Sequence, residues 1–200
     1  MNERKDLENK LKILGFAGSL RAGSYNKSLL RAAGGLLPNV AILEIFDLAG
    51  IPPFNQDIEM DMPPKVKEFK SKIRQADAIL IATPEYNYSV PGVLKNAIDW
   101  ASRPYGDNSF DGKPVAIMSA SPGMLGGVRA QYHLRQSFVF LNMYPVNGPD
   151  VVVNFAQQKF DANGNLVDQD TRKFLGQLLQ NLVNWTRRLK GKEPSSSSST

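Results

Sequence analysis

The sequence predicts an α/β fold in which helices cover both faces of an open, roughly five-stranded parallel sheet. Short apolar segments alternate with segments of helical periodicity, and the connections are long enough for the helical crossovers that parallel strands require. The segment 78–82, AILIA, is apolar throughout, as expected of a central strand buried on both faces. With 200 residues and 42% hydrophobic content, the chain suits a single domain, expected over residues 11–190.

The individual elements follow from their apolar pattern. Strands are short runs rich in β-branched residues, and helices are segments in which apolar residues recur every three or four positions. In chain order they are predicted as a strand from Ile13, a helix over 27–37 capped by Asn26, a strand over 40–46, a helix over 64–75, strands over 78–82 and 114–119 with a helix opened by Pro91 between them, a helix over 128–142, a strand over 146–153 and a helix over 168–189.

The polar segments separate and flank these elements. A long, proline-rich surface loop is predicted over 47–64 and a polar turn over 156–164. Residues 1–10 form a polar extension, and residues 191–200 form a serine-rich tail that cannot bury apolar surface and is expected to be disordered.

The composition excludes several kinds of chemistry. Because the chain has no cysteine, disulfides, thiol catalysis and cysteine-held clusters are excluded. A single histidine, His133, argues against a Ser-His-Asp triad and a multi-histidine metal site, so neither a catalytic side chain nor a metal site is predicted. Any redox chemistry must therefore come from an organic cofactor.

The distribution of charge and hydropathy limits the partners. The net charge is +5, but the basic residues are spread along the chain, so no nucleic-acid partner is expected. No apolar run approaches the ~18 residues of a membrane span, and the first ten residues lack the apolar core of a secretory signal. The protein is expected to be cytoplasmic.

The segment GSLRAGSYN at 18–26, between the first strand and the first helix, predicts a phosphate site. Backbone N–H groups at a helix N-terminus favour an anion. Ser19 and Ser24 can donate hydroxyls, and the Arg21 guanidinium can bind two phosphate oxygens. Gly18 allows a close backbone approach to the phosphate or a positive φ. The structural alternative is an ordinary serine-capped helix start with a solvent-facing arginine.

Two better-known phosphate loops do not fit these residues. A nucleoside-triphosphatase loop has a lysine after its last glycine, whereas Gly23 is followed by Ser24. A dinucleotide-binding loop has the spacing G-x-G-x-x-G, which Gly15, Gly18 and Gly23 do not match. A cradle for one phosphate monoester remains.

Two further loops are expected to lie beside this cradle. TPEYNYSVPG at 83–92 and ASPGMLGG at 120–127 each follow a predicted strand, and ligands of open parallel sheets bind outside the carboxyl ends of the strands where the strand order reverses. The first loop can face the edge of a flat heterocycle and cover it with a tyrosine, and the second is small enough to approach its other side. A phosphate grip beside a flat slot indicates a mononucleotide with a large ring, and FMN fits best.

Several side chains near these loops have plain structural interpretations. For Glu85 a structural or interface role is favoured over catalysis, and for His133 a packing or interface role. Tyr86 and Tyr88 can cover a ring or contact a second subunit, and Trp100 is expected to serve helix packing or a subunit contact.

Three segments together resemble the NAD(P)H-dependent FMN reductase family, especially its quinone, azo-dye and chromate reductase branch. They are GSLRAGSYN at 18–26, TPEYNYSVPGVLKNAIDW at 83–100 and GGVRAQYHLRQ at 126–136, within a similarity that covers about 12–185. The resemblance implies a flavodoxin-like three-layer sandwich with strand order 2-1-3-4-5, noncovalently bound FMN, and NADPH or NADH as co-substrate. It also implies a homodimer that often pairs into a homotetramer, with each active site near a subunit boundary.

The resemblance also assigns cofactor contacts by position. The first loop surrounds the FMN phosphate, the segment 84–87 lines the isoalloxazine ring, and the segment 119–123 forms the far wall. The implied cofactor-binding residues are Gly18, Ser19, Leu20, Arg21, Ser24, Tyr25, Asn26, Pro84, Glu85, Tyr86, Asn87, Ser119, Ala120, Ser121 and Gly123.

The implied reaction is a two-step, ping-pong transfer. Hydride passes from NAD(P)H to bound FMN, and two electrons then pass to a quinone, an azo compound or a metal oxyanion such as chromate in the same slot. The alternatives are a flavodoxin-type electron carrier, although such carriers are usually acidic, a non-catalytic nucleotide-binding module, and a dehydrogenase that binds NAD directly. Arg103, Lys113 and Arg129 are candidates for contacting the 2′-phosphate of NADPH, and none is singled out.

Overall fold

The computed structural model describes residues 10–191, which form a parallel β-sheet between two layers of helices. The strands are β1 (Leu11–Ala17), β2 (Ala41–Phe46), β3 (Ala78–Thr83), β4 (Pro114–Ala120), β5 (Tyr144–Pro145) and β6 (Val151–Val153). The helices are α1 (Tyr25–Gly34), α2 (Pro64–Gln75), α3 (Gly92–Ala101), α4 (Val128–Leu141) and α5 (Gln169–Leu189). Apart from Lys10 and Gly191, the predicted polar extension and serine-rich tail lie outside the described residues.

The strand order confirms the predicted fold. Neighbouring strands run β2-β1-β3-β4-β5, and every pair is parallel. The order reverses between β1 and β3, which is where the flavodoxin-like arrangement places its ligand. A dinucleotide-binding dehydrogenase would have the order 3-2-1-4-5, so that alternative is wrong.

The last strand is broken, contrary to the prediction of one strand over 146–153. β5 pairs with the start of β4, at Pro114 and Val115, and β6 pairs with its end. The connection between them contains Pro149, which has no N–H to donate to a ladder. Two short strands therefore share the edge position that the sequence assigned to one.

Two apolar clusters flank the sheet, because successive residues of a strand point to opposite faces. On one face, Ile13 and Leu80 belong to the cluster that includes α1 and α5. On the other face, Leu14 and Ile79 belong to the cluster that includes α2, α3 and α4. β3 is buried along its whole length, as its continuous apolar sequence predicts. Within residues 10–191, no helix is both long enough and apolar enough to cross a membrane.

The long loop over 47–63 packs on α3. Trp100 is fully buried, its indole N–H donates to the Pro52 carbonyl at 2.8 Å, and its ring meets Phe54 edge to face. The Asn96 amide oxygen accepts from the Phe54 N–H at 2.7 Å, and its nitrogen donates to the Pro52 carbonyl at 2.9 Å. Trp100 therefore has the packing role expected of it, with its contacts inside the chain.

Candidate functional site

The loops after β1, β3 and β4 meet at the carboxyl edge of the sheet. Ala17 pairs with Ala82, and Thr83 pairs with Ser119, so the three strands end level with one another. The Gly18 N–H donates to the Ala82 carbonyl at 2.9 Å, which extends the ladder into the first loop. The three loops that the sequence singles out are thus brought together.

Gly18 is required for a close approach between two of these loops. A Cβ at this position would lie 2.9 Å from Cγ of Pro91 and 3.1 Å from Cβ of Leu94. Its φ lies outside the positive region that glycine favours. The predicted positive φ is therefore wrong, and the close approach that the structure shows is to the segment that opens α3. A close approach of Gly18 to a phosphate stays a prediction.

The helix α1 begins at Tyr25, two residues before the predicted start. Its N-cap is Ser24, with φ −74° and ψ 122°, and the serine hydroxyl accepts from the Lys27 N–H at 3.4 Å. The prediction that Asn26 caps this helix is wrong, because the extended backbone that a cap requires occurs at Ser24. The N–H groups of Tyr25 and Asn26 belong to the first turn, which has no intrahelical acceptor for them. The helix start therefore directs backbone donors towards the first loop.

Asn26 joins α1 to the end of β4. Its amide nitrogen donates to the Ala120 carbonyl at 2.9 Å, and its amide oxygen accepts from the Ala120 N–H at 3.0 Å. The side chain is buried, so these bonds are made away from water. Asn26 thus ties two loops of the site together, and its contact with a phosphate stays a prediction.

The other residues of the first loop and helix start differ in their exposure. Ser19 is buried, whereas Arg21 and Leu20 are exposed, and Tyr25 packs on Phe160. None of the ion pairs formed within residues 10–191 includes Arg21. A guanidinium without a carboxylate partner, hydroxyls and first-turn N–H groups are the donors that a phosphate monoester takes. This donor set fits the phosphate of FMN.

The segment after β3 forms a tight hairpin. Tyr86 and Ser89 exchange two backbone hydrogen bonds, of 3.1 and 3.0 Å. Asn87 and Tyr88 between them have φ values of 50° and 68°, the combination that defines a type I′ turn. The side chains of Tyr86 and Tyr88 are 46% and 68% exposed, while Pro84 is buried at the base. The hairpin can therefore present tyrosine rings to a flat ligand or to another subunit.

Glu85 lies beneath the hairpin and contacts α4. Its carboxylate accepts from the Arg129 N–H at 3.1 Å and forms an ion pair with the guanidinium of the same residue. This hydrogen-bonded pairing with the carboxylate raises the pKa of Arg129. The Arg129 guanidinium also stacks on the Tyr88 ring at 3.3 Å, and Oγ of Ser89 lies 3.0 Å from Nδ1 of His133. The structure thus gives Glu85 and His133 the structural roles that the sequence favoured.

The predicted far wall divides into a buried part and an exposed part. Ser119 is fully buried, and its hydroxyl accepts from Nε2 of Gln131 at 2.8 Å. Ser121 accepts from the Gly123 N–H at 3.1 Å and lies nearer the surface. The role of Gln131 was not predicted from the sequence. The feature that could have indicated it is a single amide side chain, next to Ala130, among the buried residues of α4. Ser119 and Ala120 therefore form the buried base of the predicted wall, and 121–123 lie at its surface.

The candidate cations for the 2′-phosphate of NADPH are all engaged within the chain. Arg103 forms two hydrogen bonds with the Glu59 carboxylate, of 2.7 and 3.1 Å, and Arg129 is paired beneath the hairpin. Lys113 precedes β4, so it lies at the opposite edge of the sheet, where it donates to the Ala76 carbonyl at 2.6 Å. Burial lowers the pKa of Lys113. None of the three is placed as an unpaired cation at the site.

A cleft of about 600 Å³ lies elsewhere, at the β5 edge of the sheet, and is lined by 145–148 and by Trp185 and Arg188 of α5. It shares no residue with the three loops. Convergence of the loops and the chemistry of their donors, rather than cavity volume, locate the candidate site.

Comparison with known proteins agrees with this geometry. The family model described as NADPH-dependent FMN reductase matches residues 11–158. An NAD(P)H-dependent FMN reductase of Pseudomonas aeruginosa is 52% identical over 186 residues, which cover 92% of this chain and 100% of that protein. A 2-hydroxy-1,4-benzoquinone reductase of a Burkholderia species is 44% identical over 177 residues, covering 88% and 97%. The structure of FerB, a flavoenzyme NAD(P)H:(acceptor) oxidoreductase of Paracoccus denitrificans, is similar with a TM-score of 0.80 and 36% identity, covering 89% of this chain and 98% of FerB.

Proposed function

The chain belongs to the NADPH-dependent FMN reductase family, and from this premise we propose that it oxidises NADPH or NADH through bound FMN and reduces quinones. One observation carries the proposal: a phosphate donor set that includes Arg21, which forms no ion pair within residues 10–191, lies beside a hydrogen-bonded hairpin at the switch point of a flavodoxin-like sheet. Quinone reductases among the relatives support the acceptor class. Azo compounds and metal oxyanions such as chromate are further proposed acceptors, supported by the resemblance of the motifs.

The proposed contacts follow the shape of FMN. The Ser19 and Ser24 side chains, Arg21 and the first turn of α1 hold the phosphate, since hydroxyl, guanidinium and backbone N–H donors converge there. The segment 84–87 lines the ring, and 121–123 approaches it from the β4 side. Asn26 and the buried end of β4 contribute indirectly, because their hydrogen bonds hold in place the loops that contact the cofactor.

The chain contributes binding and orientation to the reaction. Bound FMN supplies the hydride-transfer chemistry. The phosphate donors fix one end of the cofactor, and the hairpin and the β4–α4 loop set the width of the slot at the other end. Exposed Tyr86 and Met124 border the side on which nicotinamide and quinone bind in turn. Because both substrates use the same position, the reaction is ping-pong, and it requires no acid–base side chain.

We further propose that the chain assembles as a homodimer that pairs into a homotetramer. Three large side chains of α4 support this proposal, because Tyr132, Val139 and Phe140 are 60%, 86% and 77% exposed. Exposed apolar side chains clustered on one helix favour a protein contact. Sedimentation velocity of the purified protein tests the proposal, and a monomer at micromolar concentration would contradict it.

The visible spectrum tests the proposed activity. Purified protein with added FMN is expected to show bound-flavin bands that bleach when NADPH or NADH is added without oxygen and return when a quinone is added. Arg21→Ala protein at the same FMN concentration is the matched control and is expected to show less bound flavin.

The same measurement separates the electron-carrier alternative. Flavin that binds but does not bleach with reduced nicotinamide would replace the reductase proposal by a flavodoxin-type carrier. Protein that binds no flavin would contradict the phosphate assignment itself.

A further inference from the structure

The helix α4 begins without a side-chain cap of its own. Its N-cap is Gly127, with φ 92° and ψ 16°, and it makes no capping side-chain bond. A Cβ at this position would lie 2.9 Å from Cβ of Ser119. The position therefore requires glycine both for its backbone conformation and for its space. The Val128 N–H donates to the Leu125 carbonyl of the preceding loop at 3.0 Å, and with no side chain at the N-cap the next N–H of the first turn, that of Arg129, finds its acceptor elsewhere.

Glu85 supplies that acceptor from the hairpin after β3. Its carboxylate accepts from the N–H of Arg129, in the first turn of α4, at 3.1 Å. The Glu85 side chain is 8% exposed, so this bond is made largely away from water. A carboxylate at a helix N-terminus is also favoured by the helix dipole. One side chain thus completes a helix that starts 43 residues later along the chain, at Val128 (128 − 85).

Two further contacts fasten the same hairpin to the same helix. The Arg129 guanidinium pairs with Glu85 and stacks on the Tyr88 ring at 3.3 Å. One turn further along α4, Nδ1 of His133 lies 3.0 Å from Oγ of Ser89. The hairpin itself is closed by the bonds between Tyr86 and Ser89. The hairpin and the first two turns of α4 therefore form one unit, which we call the hairpin–α4 clamp.

We propose that Glu85 is a positioning residue, which sets the width of the flavin slot by locking the hairpin to the start of α4. The inference rests on the proposed function, because the two segments that the clamp joins are the two proposed walls of the FMN ring. With the clamp intact, the slot is preformed before the cofactor arrives. Without it, binding must also order both walls, which lowers affinity.

Hydrogen–deuterium exchange of the apoprotein tests the clamp independently of the cofactor. In Glu85→Ala protein, amides of 84–91 and of 126–131 are expected to exchange faster together. Glu85→Gln keeps an acceptor for the Arg129 N–H and is expected to restore protection to a large part. Glu68→Ala, which removes an exposed α2 carboxylate paired with Lys65, is the matched control and should leave both segments unchanged. Faster exchange in the hairpin alone would overturn the proposal.

Flavin titration and the reduction potential then test the consequence for the site. The dissociation constant of FMN is expected to rise about tenfold in Glu85→Ala protein. The midpoint of its urea unfolding should change little. In Glu85→Gln protein the potential of bound FMN is expected to become more positive, because the Arg129 charge loses its counter-ion. Wild-type affinity and potential in both variants would overturn the positioning role. Absence of FMN binding by the wild-type protein would contradict the proposed function, and the exchange measurement would still decide whether Glu85 couples the segments.

Discussion

Two loops leave neighbouring strands at the same edge of the sheet and use their polar groups in opposite ways. Several polar groups of the loop after β2, over 47–63, have partners inside the chain: the Pro52 carbonyl accepts from Trp100 and Asn96, and Glu59 pairs with Arg103. The loop after β1, over 18–24, carries Arg21, which is exposed and forms no ion pair with any residue that the structure describes.

The difference separates two roles of polar groups in a loop, namely stabilising the fold and binding a ligand. Where buried or half-buried polar groups have partners in the same chain, a long loop becomes part of the packed structure, and these groups contribute to stability. Where donors converge without partners, the chain keeps them for a ligand. Loss of a side chain should therefore reduce stability in the first case and affinity for FMN in the second.

The largest effect is expected from Trp100→Ala. Removal of a fully buried indole costs about 3–5 kcal/mol of unfolding free energy, measured by urea denaturation. The remaining folded protein should bind FMN normally. Trp100→Phe keeps an aromatic ring but loses the bond to Pro52 and part of the buried indole, so it should cost less, about 1–3 kcal/mol. Weaker FMN binding at unchanged stability would place the long loop in the site and break the comparison.

Asn26→Ala is expected to act at the base of the site. It leaves the buried N–H and carbonyl of Ala120 without their side-chain partners, at a cost of about 2–4 kcal/mol in urea denaturation. Weaker FMN binding should accompany it, because α1 is no longer tied to β4. Asn163→Ala removes an exposed amide in the turn over 161–165, which makes no bond to Ala120, and serves as control. Unchanged stability would mean that the joint between the loops is unimportant.

Arg21→Ala should separate affinity from stability. Loss of a charge-assisted bond to the phosphate corresponds to about 1.5–3 kcal/mol of binding, so the dissociation constant of FMN should rise by at least about tenfold in a fluorescence titration. The urea midpoint should stay unchanged, because Arg21 is exposed and has no ion-pair partner in the described part of the chain. Lys173→Ala removes the same charge at an exposed position of α5 and should leave the affinity for FMN unaltered. A loss of stability in Arg21→Ala protein would contradict the distinction.

The smallest effect is expected at the contact between the long loop and α1. Asp47 begins the long loop, accepts from the Ala49 N–H at 3.0 Å and pairs with Lys27 of α1 at 3.1 Å. The Ala49 N–H bond is the main cause that lowers the pKa of Asp47, so its stabilising contribution is present above about pH 4 and is lost as pH falls through the folded-state pKa.

Asp47→Asn protein tests this contribution. The side chain is 54% exposed, so the ion pair contributes about 0.5 kcal/mol or less. The urea midpoints of the two proteins should differ slightly at pH 7 and converge as the pH falls through the lowered folded-state pKa of Asp47. Asp61→Asn, in a pair whose carboxylate is 98% exposed, should show no difference over this pH range. A difference that grows on acidification would contradict the sign.

The sequence predicts only part of this difference between the two loops. The donors of the first loop could be predicted, because glycine, serine and arginine between a strand and a helix are a local pattern. Trp100 could be assigned to packing, but its partner Pro52 could not, since the two meet only after the sheet has formed. The break between β5 and β6 was missed because the apolar run 151–153 obscured the effect of Pro149.

The sequence by itself determined the order of strands and helices, the buried central strand and the three loops of the site, because periodicity and turn chemistry act over a few residues. Tertiary structure alone decided which polar groups remain available. Arg129 is a plausible phosphate ligand in the sequence, yet Glu85 already occupies it, and Asn26 is a plausible cap, yet Ala120 occupies its amide. Such pairings join residues far apart in the chain, so no local pattern encodes them.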